Sequence, residues 1–364
     1  MAELIIHTDK IKENIITLSK YFRKHKIDWS LVTKVFSGDK EFLKNLLTED
    51  VINHIDSIGD SRLTSLMNLR EINPNMRTIY IKPPAIIYAD DVVKYANISL
   101  NTSYKTIKAL NDAAKKQNII HKVIIMIELG ELREGINRND VIEFYDKVFD
   151  LSNIEVIGLG SNLGCMYGVE PSYDKLLQLS LYKQIIESKF NRKLKYVSGG
   201  SSITLPLIEY GKVPADINHF RIGEAIFFGT SPLEGEKFLN LHTNTFEFKA
   251  NIIELEEKYV VPDGIINEAN IGHTIDFNES EASEKSYKAI LDFGMLDVDS
   301  KDIECNDKTV GFVGITSDMT VTDIGNNKVD GKKKFNVGDK ICFTPNYMAV
   351  ARLLNSKFIE KKYL

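Results

Sequence analysis

Only three cysteines, Cys165, Cys305 and Cys342, occur in 364 residues, and no two share a C-x-x-C spacing. No disulfide framework can be built from them, and a reducing cytoplasm is the expected setting. The apolar runs fall far short of the roughly 18 residues a membrane span needs, and Met1–Lys10 has no signal-peptide core, so neither membrane nor export is expected. Neither charge dominates. Forty-six basic against fifty-one acidic residues give a net charge of −5, which offers nucleic acid no electrostatic footprint. Low-complexity tracts and identical repeats are also missing. The expectation is a soluble intracellular protein with a core of ordinary size.

What is present is an alternation. Short apolar runs recur as WSLVTK (29–34), HIDSIG (54–59), RTIYIKP (77–83), NISLNT (97–102), KVIIMIEL (122–129), EVIGLGSN (155–162), KYVSGGSS (195–202) and FRIG (220–223). Between them lie stretches such as YKTIKALNDAAKK and DVIEFYDKVFDL, whose apolar residues fall three and four apart. The runs read as strands buried on both faces and the stretches as helices. Eight such units are the count of a (β/α)8 barrel, which ranks above an open doubly wound sheet. Near residue 240 the pattern changes to strands and turns: FEFKANIIELEEK, VPDGIINEAN, KAILDFGMLDVD, KTVGFVGITSDMTVTDIG and VGDKICFTP. Gly, Pro, Asn and Asp punctuate them closely, as in a mostly-β domain, and only the closing NYMAVARLLNSKF looks helical. The expected fold is α/β: a barrel over 1–238 and a β-domain over 239–364. GKKKF (331–335) reads as a solvated hairpin loop.

Chemistry in such barrels sits at the C-terminal ends of the strands. Those ends carry Lys34, Lys82, Asn101, Glu128, Asn162, Ser198–Ser202 and Arg221, with no histidine and few carboxylates. A metal site is therefore not expected. A Gly-Ser turn suits a phosphate, because main-chain N–H groups can approach it unobstructed. A lysine in a barrel mouth suits covalent chemistry with a carbonyl compound, although most strand-end lysines merely reach for water.

Taken in order, these features resemble a known family. A lysine ends strand one, an arginine sits in the fifth-strand loop, GGSS follows strand seven and R-x-G strand eight. With the appended β-domain, the chain resembles the alanine racemase-like enzymes that use pyridoxal 5'-phosphate, in the branch that includes ornithine racemase. LVTKVFSGD, MIELGELREGI, GLGSNLGC, VSGGSS, HFRIGEAIFFG, GITSDMTVTD and TPNYMAVARLL carry the resemblance. It implies that Lys34 holds the cofactor covalently and later serves as a base, and that Arg221 bonds the pyridine nitrogen. Ser201, Ser202, Ile222, Gly223 and Tyr347 would hold the phosphate. Arg133 would lie beside the phenolic oxygen and the substrate carboxylate, with Asn162 near the cofactor. Ser317 and Asp318 would enter the substrate pocket from a partner subunit, in a head-to-tail homodimer.

The chain also departs from the family. The resemblance puts Met295 where alanine racemases carry the tyrosine base, Asn162 for the relaying histidine, Met126 for a carbamylated lysine and Gly38 for a tyrosine. The missing relay argues against alanine and for a longer basic substrate, ornithine and then lysine. Asp318 is the first candidate for a second base or for a partner of the distal ammonium, with Glu128 in reserve. His273 and Cys165 are weaker candidates, each with an ordinary structural reading. An arginine at the pyridine nitrogen donates without yielding its proton, which favours racemisation over transamination. A decarboxylase on the same fold would need a C-x-x-x-D string, and Cys305 is followed by Asp307 at the wrong spacing. A non-catalytic pyridoxal-phosphate carrier would lack the β-domain.

Overall fold

The computed structural model describes residues 1–266, 272–276 and 283–364. They form two compact units, one of residues 8–243 and one of residues 1–7 with 244–364. The chain opens with strand β1 (Glu3–Ile6), which belongs to the second unit. The first unit is a closed parallel barrel of β2 (Asp28–Val32), β3 (Ser57–Asp60), β4 (Thr78–Tyr80), β5 (Ile98–Asn101), β6 (His121–Met126), β7 (Ile154–Gly160), β8 (Tyr196–Ser201) and β9 (His219–Ile222). Each of the eight apolar runs overlaps one of these strands, and β9 closes the ring on β2 with Asp28 opposite His219.

Burial explains why those runs carry no alternation. Every residue of β3, β4, β5 and β9 is buried, because helices cover the outer face while side chains fill the inside. Ile79, Ile98, Leu100, Ile124, Met126, Ile157 and Tyr196 form one buried cluster. The helix Thr8–Lys24 turns Ile11, Ile15, Leu18 and Phe22 inward, and the Phe22 ring lies 5.4 Å from that of Phe220 on β9. Each such side chain contributes about 1.5–3 kcal/mol by leaving water.

The second unit is mostly β, as expected. Its strands are β10 (Phe246–Tyr259), β11 (His273–Thr274), β12 (Lys285–Leu291), β13 (Ile303–Cys305), β14 (Gly311–Ile315), β15 (Thr320–Asp323), the short hairpin of β16 (Lys328–Val329) and β17 (Lys332–Lys333), β18 (Lys340–Pro345) and β19 (Glu360–Tyr363). The long β10 pairs with β1 and β18 along its first half and with β12 along its second, across a bulge between Ile252 and Glu254. The helix expected near the end spans Tyr347–Asn355. Residues 267–270 of VPDGIINEAN lie outside the described residues, and 261–266 form no strand.

The domain boundaries differ from the expectation in two respects. Residues 1–7 leave the barrel, because β1 lies between β10 and β19 and bonds to both. Residues 239–243 stay with the barrel unit: Asn14 accepts from His242 N–H at 2.6 Å and donates to its carbonyl at 3.0 Å.

Gly200 shows how closely β8 and β9 approach. A Cβ there would lie 2.4 Å from three atoms of the Phe220 ring, where the register between the strands also shifts. Gly200→Ala should therefore cost about 1–3 kcal/mol in urea unfolding. In the Phe220→Leu background the added cost should be smaller, and equal costs in both would show that the ring is not the obstacle.

Candidate functional site

Lys34 follows β2 directly. The strand ends at Val32, two residues before the expected end, and Lys34 opens a single 3-10 turn with its side chain exposed. The chain then turns sharply through Ser37 (φ 49°) and Gly38 (φ 77°). A Cβ on Gly38 would sit 2.8 Å from the Ser65 main chain, so a tyrosine has no room at this position. Glu224, just after β9, lies in the field of Lys34. Burial raises its carboxyl above the ordinary carboxylate range, and the lysine pulls it partly back.

Arg221 is a buried cation with no carboxylate among the described residues bonded to it. Its Nη1 donates to the Ser198 carbonyl at 2.8 Å and to Ser198 Oγ, and its Nη2 donates to the Ser161 carbonyl at 2.7 Å. Nε makes no hydrogen bond to any described residue. Burial lowers the guanidinium to about 10, with the charge on Glu134 opposing and that on Arg133 adding, so it keeps its proton at neutrality. Beside it Ser161 Oγ is buried without a partner.

The Gly-Ser turn is partly committed to its own structure. Thr204 Oγ1 accepts from Ser201 N–H at 3.2 Å, and Ser202 Oγ accepts from Ala225 N–H at 3.1 Å. Ile222 is buried at the end of β9. Gly223 follows it. A Cβ on Gly223 would come within 3.0 Å of the Val32 carbonyl, so strand packing already explains this glycine.

The ELGELREGI loop closes on itself after β6. Glu128 N–H donates to the Ile136 carbonyl and Ile136 N–H to that of Met126, at 3.0 and 2.8 Å. Gly135 (φ 148°) permits the closure, since a Cβ would lie 2.3 Å from Glu128 N. Met126 is buried in the barrel core, and the carboxylate beside Arg133 comes from Glu134. The Glu134 fork accepts from Nε and Nη2 of Arg133, while Nη1 reaches Cys165 Sγ. With the Asn162 amide oxygen turned toward the guanidinium, the orientation that satisfies both groups, it accepts from Nη1 and Nη2 at 3.3 and 3.1 Å. The structure thus brings Arg133, Asn162 and Cys165 together.

Three glutamates in this loop correct the expectation of few carboxylates at strand ends. Glu128 Oε1 accepts from Gly130 and Leu132 N–H, so its carboxylate is committed to its own loop. Glu131 is 2% exposed and accepts from the N–H groups of Gly164, Cys165, Met166, Tyr167 and Val169 at 2.5–3.1 Å. It thereby holds the loop that carries Cys165 and follows Asn162. Three glutamates within seven residues was the signal in the sequence; their separate roles depend on how the loop closes. Among the described residues, no cluster of His, Cys, Asp or Glu side chains is placed to hold a metal ion.

Ser317, Asp318 and Tyr347 belong to the second unit. Ser317 and Asp318 form an exposed turn closed by Thr316 N–H to the Met319 carbonyl, and Ser317 Oγ donates to Asp318 Oδ1 at 3.0 Å. The turn lies directly on Gly294, where a Cβ would be 2.3 Å from Asp318 N. Met295 N–H donates to the Thr316 carbonyl, so Met295 and the turn are neighbours. Tyr347 opens the helix Tyr347–Asn355. His273 lies exposed on β11.

Residues 6–232 match the family model described as alanine racemase, N-terminal domain. An ornithine racemase of Acetoanaerobium sticklandii is 33% identical over 363 residues, covering 100% of this chain and 99% of that protein. A lysine racemase of Thermotoga maritima is 28% identical over 363 residues, covering 99% and 98%. In fold, the chain is similar to an alanine racemase from Bartonella henselae solved with covalently bound pyridoxal phosphate. That match has a TM-score of 0.71 and 17% identity, and covers 100% of this chain and 99% of the other.

Burial pushes the Glu131 carboxyl up, but the surrounding N–H groups outweigh it and hold the carboxyl below the usual carboxylate range. A depressed pKa stabilises the fold above the unfolded value of about 4.3, and that contribution is lost as pH falls through the folded value. Glu131→Gln should therefore cost about 2–4 kcal/mol at pH 7. The gap to wild type in urea unfolding should hold from pH 8 to about 5 and shrink at lower pH. A gap independent of pH would mean that the carboxylate charge contributes nothing.

Proposed function

The chain belongs to the alanine racemase family, and from that premise we propose that it racemises a basic amino acid, ornithine first and lysine next, with pyridoxal 5'-phosphate as cofactor. The observation that carries the reading is Arg221, a buried cation held by neutral oxygens at the same end of the barrel as Lys34. Burying such a charge without a counter-charge is costly, and the open Nε edge with the orphaned Ser161 hydroxyl suits a polar heteroaromatic ring. The residues present therefore fit the cofactor, which supplies, when bound, an electron sink for the pair left at Cα.

In this reading Lys34 would hold the cofactor and would move a proton at Cα on one face. Ser201, Ser202, Ile222 and Gly223 would hold its phosphate, a role the family resemblance gives to Tyr347 as well. Arg221 donates to the ring nitrogen without giving up its proton, which restrains the side routes open to an enzyme with a carboxylate there. Arg133, steadied by Glu134 and Asn162, orients the substrate carboxylate and the phenolic oxygen. Ser317 and Asp318 enter from the partner of a head-to-tail homodimer, and Asp318 pairs with the distal ammonium. Methionine at 295 leaves room that a bulkier, hydrogen-bonding tyrosine would fill. Three free cysteines suit the cytoplasmic setting.

Full-length similarity to an ornithine and a lysine racemase supports the substrate class. Asp318→Asn should lower kcat/KM for ornithine roughly 30- to 5,000-fold, the worth of about 2–5 kcal/mol, and leave norvaline nearly unchanged. Equal losses on both substrates would make Asp318 the second base, and no loss on either would remove it from the site.

Shared sites make a further prediction. Lys34→Ala and Asp318→Asn chains, each strongly impaired on ornithine, should recover about a quarter of wild-type activity when refolded together, since mixed dimers rebuild one intact site. No recovery would mean that each chain supplies its own Asp318.

A further inference from the structure

His219 is buried inside the barrel and has no part in the chemistry described so far. It stands two residues before Arg221 on β9, so both side chains point to the same face of the strand. Nδ1 lies 2.8 Å from Ser198 Oγ, and Nε2 lies 3.0 Å from Ser30 Oγ, which is itself 2.7 Å from Ser57 Oγ. Ser198 Oγ also meets Arg221 Nη1. A buried chain of polar groups therefore runs from Ser57 through Ser30, His219 and Ser198 to the guanidinium.

The directions of these bonds follow from their chemistry. A guanidinium only donates, so Ser198 Oγ accepts from Arg221. Among the described residues Ser198 Oγ meets no acceptor other than His219 Nδ1, so its one proton goes there. His219 is thus the tautomer with its proton on Nε2, and it donates to Ser30. Burial lowers the imidazole to about 3, so it takes no second proton at neutrality.

We propose that His219 is the positioning residue for Arg221: by accepting the Ser198 proton it turns the Ser198 lone pairs toward the guanidinium and sets the plane in which Nε points. The functional half of this proposal rests on the reading in which Arg221 faces the cofactor ring. The tautomer stands independently of it.

Two measurements separate them. The first is ring-nitrogen NMR on the whole protein, which should show His219 protonated on Nε2 alone. A proton on Nδ1 overturns the proposal whether or not the protein is a racemase. The second compares His219→Asn, His219→Gln and His219→Leu. The asparagine oxygen reaches the place of Nδ1 and keeps the acceptor for Ser198, whereas the glutamine amide reaches the place of Nε2 and keeps only the partner for Ser30. Asparagine should leave kcat within about 3-fold of wild type, while glutamine lowers it roughly 10- to 100-fold at similar KM and shifts the absorption band of bound pyridoxal phosphate. Leucine should do the same if it folds. Equal effects of asparagine and glutamine would reduce His219 to packing. A wild-type protein with the predicted tautomer that binds no pyridoxal phosphate would overturn the cofactor reading and leave the tautomer standing.

Discussion

A guanidinium charge buried at a barrel mouth without a carboxylate is the constraint around which much of the first unit is arranged. Arg221 must keep its proton, hold one orientation and leave one edge open, all with neutral partners. Carbonyl oxygens from Ser161 and Ser198 can do this because β7 and β8 end side by side in a parallel ring. Closure of that ring brings β9 beside β8, and the close approach of Phe220 to Gly200 belongs to the same contact. Barrel geometry and site electrostatics are here one problem.

The second arginine is held by the opposite means. Arg133 sits on a loop, is partly exposed and takes a full counter-charge from its neighbour Glu134. Precision comes from elsewhere: Glu131 ties five N–H groups of the facing loop to one carboxylate, and that loop brings Cys165 and Asn162 to the guanidinium. Loop residues gain the positional certainty of a strand when a buried charge satisfies their main chain. Met126 fits the same arrangement, since a counter-charge supplied from Glu134 leaves the strand position free to fill the core.

Much of this was legible in the sequence, and the reasons are physical. Continuous β-branched runs separated by helical spacing can hardly be anything but a two-sided parallel sheet, so the eight barrel strands were readable. Lys34 and Arg221 stood out as cations at strand ends, and Arg133 through the resemblance of its ELREG loop to that of the family. The allegiance of β1 did not stand out: ELII looks the same whether it pairs with its neighbours or with residues more than 200 positions away. EKKY of β19 carries no apolar signal. Glu131 and His219 escaped notice for a different reason. Their roles lie in which N–H groups or hydroxyls surround them, and that information exists only once the loops close.

The pairing of β1 with both β10 and β19 has a consequence in time. Residues 3–6 are synthesised well before their parallel neighbour at 360–363. At roughly 5–20 residues per second, the first strand waits about 20–70 seconds for its final partner. During that interval the barrel, complete by residue 243, has every strand it needs. The order of synthesis thus supplies every barrel strand while β1 still lacks its β19 neighbour.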